Sequence, residues 1–187
     1  MSDEKMGGTV LTNGIKTVKY RRMIFFRCEC PARICELISD ILNYCSYNTS
    51  TDDLSGDTDY ILYCSDKMPE LPDDVIADTA FVTSDNIGCI SGIEFRRIVL
   101  GYEDVDESLE DNERILTFSE ENYSADVTCR NINTQGDITV FDIVSGGILS
   151  RVRINSRLYS VREVLVCTAV LIAAGIPIAS ITGYFKK

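Results

Sequence analysis

Histidine and tryptophan are both absent from this chain of 187 residues. The lack of histidine excludes Ser-His-Asp and Cys-His catalytic arrangements and every metal site that uses an imidazole ligand. Basic residues are scarce, because 18 Lys and Arg face 29 Asp and Glu, a formal net charge of -11. Since so acidic a chain repels a phosphate backbone, we expect no nucleic-acid partner.

Cysteine is the one reactive residue type that is unusually frequent in this chain. Eight cysteines are present, at positions 28, 30, 35, 45, 64, 89, 129 and 167. The chain is long and apolar enough to build a core without disulfides, and its polar first residues, Met1 to Lys5, are unlike a signal peptide. We therefore expect free thiols in a reducing cytoplasm. Cys28-Glu29-Cys30 is a lone C-x-C, so no metal site is predicted.

Residues 164–185 carry no formal charge and are long enough to span a bilayer. Gly175-Ile176-Pro177 interrupts this run, which favours two short buried helices over one membrane span. Membrane attachment at the C-terminus is kept as an alternative.

The order of apolar runs predicts an α/β fold. Short runs predict buried strands, and these lie at residues 23–26, 60–64, 79–83, 95–100 and 114–118. Apolar residues at helical spacing predict a helix that starts near Pro31 and ends near Cys45. The polar segments 48–59 and 68–78 are predicted to be loops, and the acidic segment 103–113 a short exposed helix.

The C-terminal third has a different pattern. Alternating segments at 126–132, 138–144 and 149–154 predict an antiparallel meander, followed by helices at 159–174 and 177–185.

At the N-terminal end of the chain, Asn13-Gly14 predicts a hairpin over residues 9–18. We therefore expect an N-terminal extension over residues 1–22. Residues 23–187 then form one α/β domain with a mostly parallel sheet, flanking helices and a small antiparallel meander.

Three stretches, taken in order, resemble one known family. The segment 25–42 is similar to a P-loop strand and helix, and residues 98–104 with 114–118 and 125–132 are similar to V-L-N-x-D-D, I-x-T-F-G and A-D-V-x-A-x-N-I. Residues 155–177 are similar to P-G-x-H-N-V-x-N-A-L-A-A…L-G-I-P. These are motifs of the central ATP-binding domain of the Mur ligases, whose relatives are the folylpolyglutamate synthases. The resemblance implies a P-loop-like sheet. About 22 residues precede the first predicted strand and two follow the last predicted helix, so we expect neither the N-terminal nor the C-terminal domain of the family here.

The segment that corresponds to the phosphate loop departs from the family's pattern. It reads Arg27-Cys28-Glu29-Cys30-Pro31-Ala32-Arg33, without glycine or lysine. A phosphate loop needs glycines for close backbone approach and a lysine for charge. The candidate binding residues are taken from this altered loop, and they are Arg27, Cys28, Glu29, Cys30 and Arg33.

Other family positions are replaced too. Cys64 stands where the resemblance places a metal-binding Glu, and Tyr159, Ser160 and Glu163 stand where it places a His and two Asn. The only lysine between positions 19 and 186 is Lys67, so the family's carbamylated lysine has no counterpart. No catalytic residue is therefore predicted.

These losses favour a non-catalytic Mur ligase-like protein, a pseudoenzyme with a structural or regulatory role. It would need no cofactor and would bind a protein partner or form a homo-oligomer. The first alternative is a nucleotide-binding or ATP-dependent ligase module that holds ATP and Mg²⁺ with its altered loop. Another is a redox sensor, for which Cys30, between two arginines, is the best candidate.

The sequence contains two groups of charged residues that can each be interpreted in two ways. The acidic residues Asp52, Asp53, Glu103 and Asp104 are interpreted as solvated surface carboxylates rather than a Mg²⁺ site. Four arginines are close together in the C-terminal part, at positions 151, 153, 157 and 162. They suit either an acidic ligand or the chain's own carboxylates.

Overall fold

The computed structural model describes residues 20–28, 31–106, 109 and 112–186. The hairpin predicted for residues 9–18 and the candidate residues Glu29 and Cys30 lie outside this range.

Nine strands and three helices make up the described part of the chain. The strands are β1 (Arg21–Arg27), β2 (Thr49–Thr51), β3 (Tyr60–Cys64), β4 (Val75–Val82), β5 (Arg97–Gly101), β6 (Ile115–Ser119), β7 (Val127–Gln135), β8 (Ile138–Ser145) and β9 (Ile148–Asn155). The helices are α1 (Pro31–Tyr44), α2 (Val161–Ala173) and α3 (Ile178–Tyr184).

All nine strands form one sheet in the order β2-β3-β1-β4-β5-β6-β7-β8-β9. Neighbouring strands from β2 to β7 are parallel, whereas β7, β8 and β9 pair antiparallel. The mostly parallel sheet with an antiparallel meander is therefore confirmed. The helix predicted to start at Pro31 is confirmed as well.

The sheet buries both of its faces, as parallel sheets do. Ile24 and Phe26 of β1 pack with all three helices on one face. Met23 and Phe25 alternate with them and join a second core. That second core is covered by loop residues and by a 3-10 turn, Ser84–Ile90, rather than by an α-helix in the described residues.

The C-terminal run forms two helices, as its interrupted pattern predicts. Gly175 has φ of +87°, its N–H donates to the carbonyl of Ile172, and the N–H of Ile176 donates to the carbonyl of Leu171. This Schellman ending stops α2, and Pro177 then begins α3 as its N-cap. Across the described part of the chain, no helix combines the length and apolar character needed to cross a lipid bilayer.

Three local predictions are wrong. The loop predicted over 48–59 contains the short edge strand β2. The loop predicted over 68–78 ends at Asp74, because β4 begins at Val75. The acidic residues of 68–78 are typical of a surface loop, but Asp78 is wholly buried and ion-paired inside the protein. In the acidic segment 103–113 the described residues form only a 3-10 turn, Tyr102–Asp104, and no α-helix. There Val105 and Leu109 pack onto the second core instead.

Candidate functional site

The main candidate site is a cavity of about 800 Å³ at the carboxyl ends of β1 and β4. The starts of α1 and α2 close its sides. In open α/β sheets, ligands bind at this end of the strands. We call it the strand-end cavity, and its charged lining residues are Arg27, Arg33, Asp85, Asp104, Arg162 and Glu163.

The structure brings three of the predicted loop residues to this cavity, namely Arg27, Cys28 and Arg33. Both arginines already have partners in the chain. Arg27 forms an ion pair with the carboxylate of Asp66. The Nε atom of Arg33 lies 3.3 Å from Oε1 of Glu163, and its Nη2 donates to the carbonyl of Leu158. Arg27 and Arg33, the arginines predicted as candidates for binding a phosphate, are therefore paired with carboxylates of the chain itself.

Glu163 has a second role at the start of α2. Its Oε2 accepts from the backbone N–H of Ser160 at 2.7 Å, and its own N–H donates to Oγ of Ser160 at 3.1 Å. This reciprocal pair is a capping box, which satisfies two backbone donors at the helix start. Two positions that the resemblance aligns with the family's polar motif thus serve helix capping here.

The opposite wall of the strand-end cavity is acidic. Oδ1 of Asp104 accepts from the Ser84 hydroxyl at 3.1 Å. A Cβ atom on Gly101 would lie 2.8 Å from Oδ2 of Asp104, so the carboxylate packs directly on the end of β5. The third arginine of the cavity, Arg162, stacks over the ring of Phe118 at 5.5 Å from its centroid. With three arginines and three carboxylates in the described lining, the formal charges cancel.

The clustered arginines near β9 also bind the chain's own acids. Arg151 donates from Nε and Nη2 to the two carboxylate oxygens of Asp142, at 2.8 and 3.0 Å. Arg157 donates to Asp137 at 2.7 Å. Of the two readings left open by the sequence, internal pairing therefore holds for Arg151 and Arg157.

The other predicted acidic residues have structural partners. Asp52 accepts from the backbone N–H of Cys64 at 2.8 Å, and Asp53 accepts from the N–H and hydroxyl of Ser55 at 2.8 and 2.6 Å. Within the described residues, no group of three or more metal-ligating side chains comes together.

A feature that sequence reasoning missed lies between α1 and β3. The Sγ atoms of Cys35 and Cys64 are 3.1 Å apart. The hydrogen bond between the two sulfurs lowers the pKa of the Cys64 thiol, while the same contact and burial raise the pKa of Cys35. No sequence signal joins these two cysteines, because they are 29 residues apart on different elements.

Solved structures of two MurF proteins and of a folylpolyglutamate synthetase have the same fold. MurF from Acinetobacter baumannii superposes with a TM-score of 0.64 at 13% identity, over 90% of this chain and 46% of that chain. MurF from Thermotoga maritima, solved in complex with ADP, gives 0.58 at 10% identity, over 87% and 48%. Folylpolyglutamate synthetase from Lactobacillus casei gives 0.61 at 8% identity, over 89% and 62%.

These similarities confirm the predicted fold of a Mur ligase central domain. The chain spans about half the length of the MurF structures. No family model matches the sequence, and no curated protein matches it either. The likeness therefore shows the fold alone.

Proposed function

We propose that this chain is a non-catalytic protein with a Mur ligase-like fold that acts by binding a protein partner or a second copy of itself. The observation that carries the proposal is the pairing of Arg33 with Glu163 in the strand-end cavity. A nucleotide phosphate placed there would have to displace that carboxylate. It would also lie near the carboxylates of Asp85 and Asp104.

ATP and Mg²⁺, which the fold family implies, do not fit the described residues. A phosphate site needs unpaired positive charge and converging backbone N–H groups. Here Arg27 and Arg33 are paired with Asp66 and Glu163, and the third arginine, Arg162, lies over the ring of Phe118. Two of the N–H groups at the start of α2 are occupied by the capping box. A Mg²⁺ site at a nucleotide needs carboxylates that share the ion with the phosphates, and among the described residues no three His, Cys, Asp or Glu side chains come together to hold a metal ion. We therefore derive no ligation step for this chain.

The retained core supports a role that depends on shape. Every helix packs its apolar side on the sheet, and α2 is buried along nearly its whole length. Polar positions that the resemblance assigns to chemistry are replaced, whereas apolar residues of the same segments build the core of this chain. This pattern is expected when the fold is maintained for its surface rather than for its cavity.

One observation favours a second candidate, a nucleotide-binding module. The strand-end cavity has a volume of about 800 Å³ and three arginines in its lining, and it lies where α/β folds bind ligands. If a nucleotide bound there, Arg33 would exchange Glu163 for a phosphate.

Titration of the purified protein with ATP and Mg²⁺ tests the proposal. A ligand that binds only the folded state raises the melting temperature by mass action. We expect no shift in thermal unfolding and no heat in calorimetry at millimolar nucleotide. A shift that disappears in Arg33→Ala would overturn the proposal and favour the nucleotide-binding module.

The interaction role needs a separate measurement. Light scattering after size-exclusion chromatography gives the molar mass over a range of concentrations. A mass above that of one chain supports self-association, and a monomer directs the search to a different protein. ATP hydrolysis by the purified chain would contradict both forms of the proposal.

A further inference from the structure

Helix α1 and strand β3 bring Cys35 and Cys64 together. Cys35 lies in the second turn of α1 and is 4% exposed, while Cys64 is the last residue of β3 and is half-buried. Their sulfur atoms are 3.1 Å apart. Since a disulfide has an S–S bond of about 2.05 Å, a relative movement of about 1 Å would join them.

Cys64 is reachable from solvent. It lines a cavity of about 580 Å³, together with Ala32, Ser39 and Thr51. We infer that Cys64 and Cys35 form an oxidation-sensitive thiol pair that peroxide converts into a reversible intrachain disulfide. This inference does not depend on the proposed function.

The contact assigns different roles to the two sulfurs. The hydrogen bond between the two sulfurs favours the thiolate of Cys64 and lowers its pKa, whereas it raises the pKa of the more buried Cys35. Burial and the negative charge of Asp52 oppose this effect, because both raise the pKa of Cys64. The more exposed Cys64 is therefore the attacking group and the buried Cys35 the resolving one.

Hydrogen peroxide is the only co-reactant that disulfide formation needs. The Cys64 thiolate attacks one oxygen of hydrogen peroxide, the O–O bond breaks, and the other oxygen leaves as hydroxide and takes up a proton to become water. Cys64 is then a sulfenic acid. The Cys35 sulfur attacks the Cys64 sulfur, the S–O bond breaks, and the hydroxyl leaves with the Cys35 proton as a second water. Two thiols have lost two electrons, and one peroxide has gained them.

The negative charge of the cavity beside Cys64 favours a neutral oxidant over an anionic one. Glu36, Asp40 and Asp52 line it, and no basic side chain does so among the described residues. Negative charge there disfavours anionic glutathione disulfide and does not affect a neutral peroxide. We therefore expect hydrogen peroxide to oxidise the pair faster than glutathione disulfide does at equal concentration.

The test is peptide mapping of the full chain after oxidation. Protein is treated with hydrogen peroxide or glutathione disulfide, remaining thiols are alkylated, and cross-linked peptides are identified by mass spectrometry. We expect one Cys35–Cys64 cross-link, loss of two titratable thiols, and recovery of both thiols with dithiothreitol. Cys64→Ser should abolish the cross-link and slow thiol loss by about tenfold. Cys89→Ser is the matched control, because Cys89 is also half-buried but packs on the second core.

A further variant separates chemistry from folding. Cys35→Ala keeps the attacking thiol, so we expect Cys64 to accumulate as a sulfenic acid that dimedone traps. The wild-type mapping stays informative even if this buried substitution destabilises the protein. The inference is overturned if the cross-link joins Cys64 to any other cysteine. Oxidation of Cys64→Ser at the wild-type rate, or peroxide treatment that leaves both thiols free, would also overturn it.

Discussion

The guanidinium of Arg96 donates from Nε to Oδ1 of Asp78 at 2.7 Å and from Nη2 to the carbonyl of Ala173 at 2.5 Å. Arg22 completes the arrangement, because it donates to the carbonyl of Ala174 at 2.9 Å and lies 3.4 Å from the same carboxylate oxygen. One wholly buried carboxylate thus holds two arginines against the C-terminal end of α2. Positive charge is favourable there, because unpaired carbonyls give a helix end a partial negative charge.

We expect Asp78→Asn to destabilise the protein by about 3 kcal/mol, because it leaves two arginines around an uncharged buried group. Urea unfolding at neutral pH measures the change. Asp137→Asn is the control, because it breaks the ion pair with Arg157 at the surface and should have a much smaller effect. Equal stability of the two variants would show that Asp78 does not organise the end of α2.

The position of Asp78 also shows where sequence prediction stops. The core of β1, α1 and β3 could be predicted because each carries a local apolar pattern. Asp78 was assigned to a loop, because its role depends on Arg96, 18 residues away, and on Arg22 of a neighbouring strand. The register of β4 against β1 skips Asp78, since Met23 pairs with Ala77 and Ile24 with Thr79. Such a bulge re-aims one side chain and leaves no signal in the sequence pattern.

The candidate site, like the fold, could be predicted only in part from the sequence. The loop between β1 and α1 could be located from the resemblance, and Arg27, Cys28 and Arg33 do meet at one cavity. The partners of its arginines could not be predicted. Asp66 and Glu163 come from distant parts of the chain, and only the packing of α2 beside α1 places Glu163 next to Arg33.

We expect Gly175→Ala to destabilise the protein by about 1 kcal/mol. Gly175 has φ of +87°, a conformation that costs a residue with a side chain about that amount. Gly88→Ala is the matched control, because a Cβ atom there meets nothing within 4 Å and its φ is not positive. Thermal unfolding compares the two variants. An unchanged Gly175→Ala would mean that the break after α2 does not require the Schellman ending.

Asp142 should make stability depend on pH. Hydrogen bonds from Arg151 and Asn131 lower the pKa of this buried carboxyl in the folded state. A lowered folded-state pKa gives stability that is present above the unfolded pKa of about 3.9 and is lost as pH falls through the folded value.

We therefore expect Asp142→Asn to be less stable than the wild type at neutral pH and to lose less stability on acidification. Urea unfolding from neutral pH down to about pH 3 follows both effects. Asp53 and Asp74 also have lowered pKa values, so a residual acid dependence stays in the variant. Parallel pH curves for the wild type and the variant would contradict this assignment.

We expect the carboxylate of Glu163 to keep phosphate out of the strand-end cavity. Glu163→Gln removes the charge that pairs with Arg33. It keeps the capping box, because glutamine also accepts the backbone N–H of Ser160. If internal pairing is what blocks the site, pyrophosphate should bind this variant several-fold more tightly than the wild type in calorimetry. Asp137→Asn makes the same change in net charge away from the cavity and should have no effect. The variant Glu163→Gln with Arg33→Gln should lose the gain. If Glu163→Gln binds no better than the wild type, the missing glycines of the loop, rather than its neutralised arginines, are the feature that excludes a phosphate.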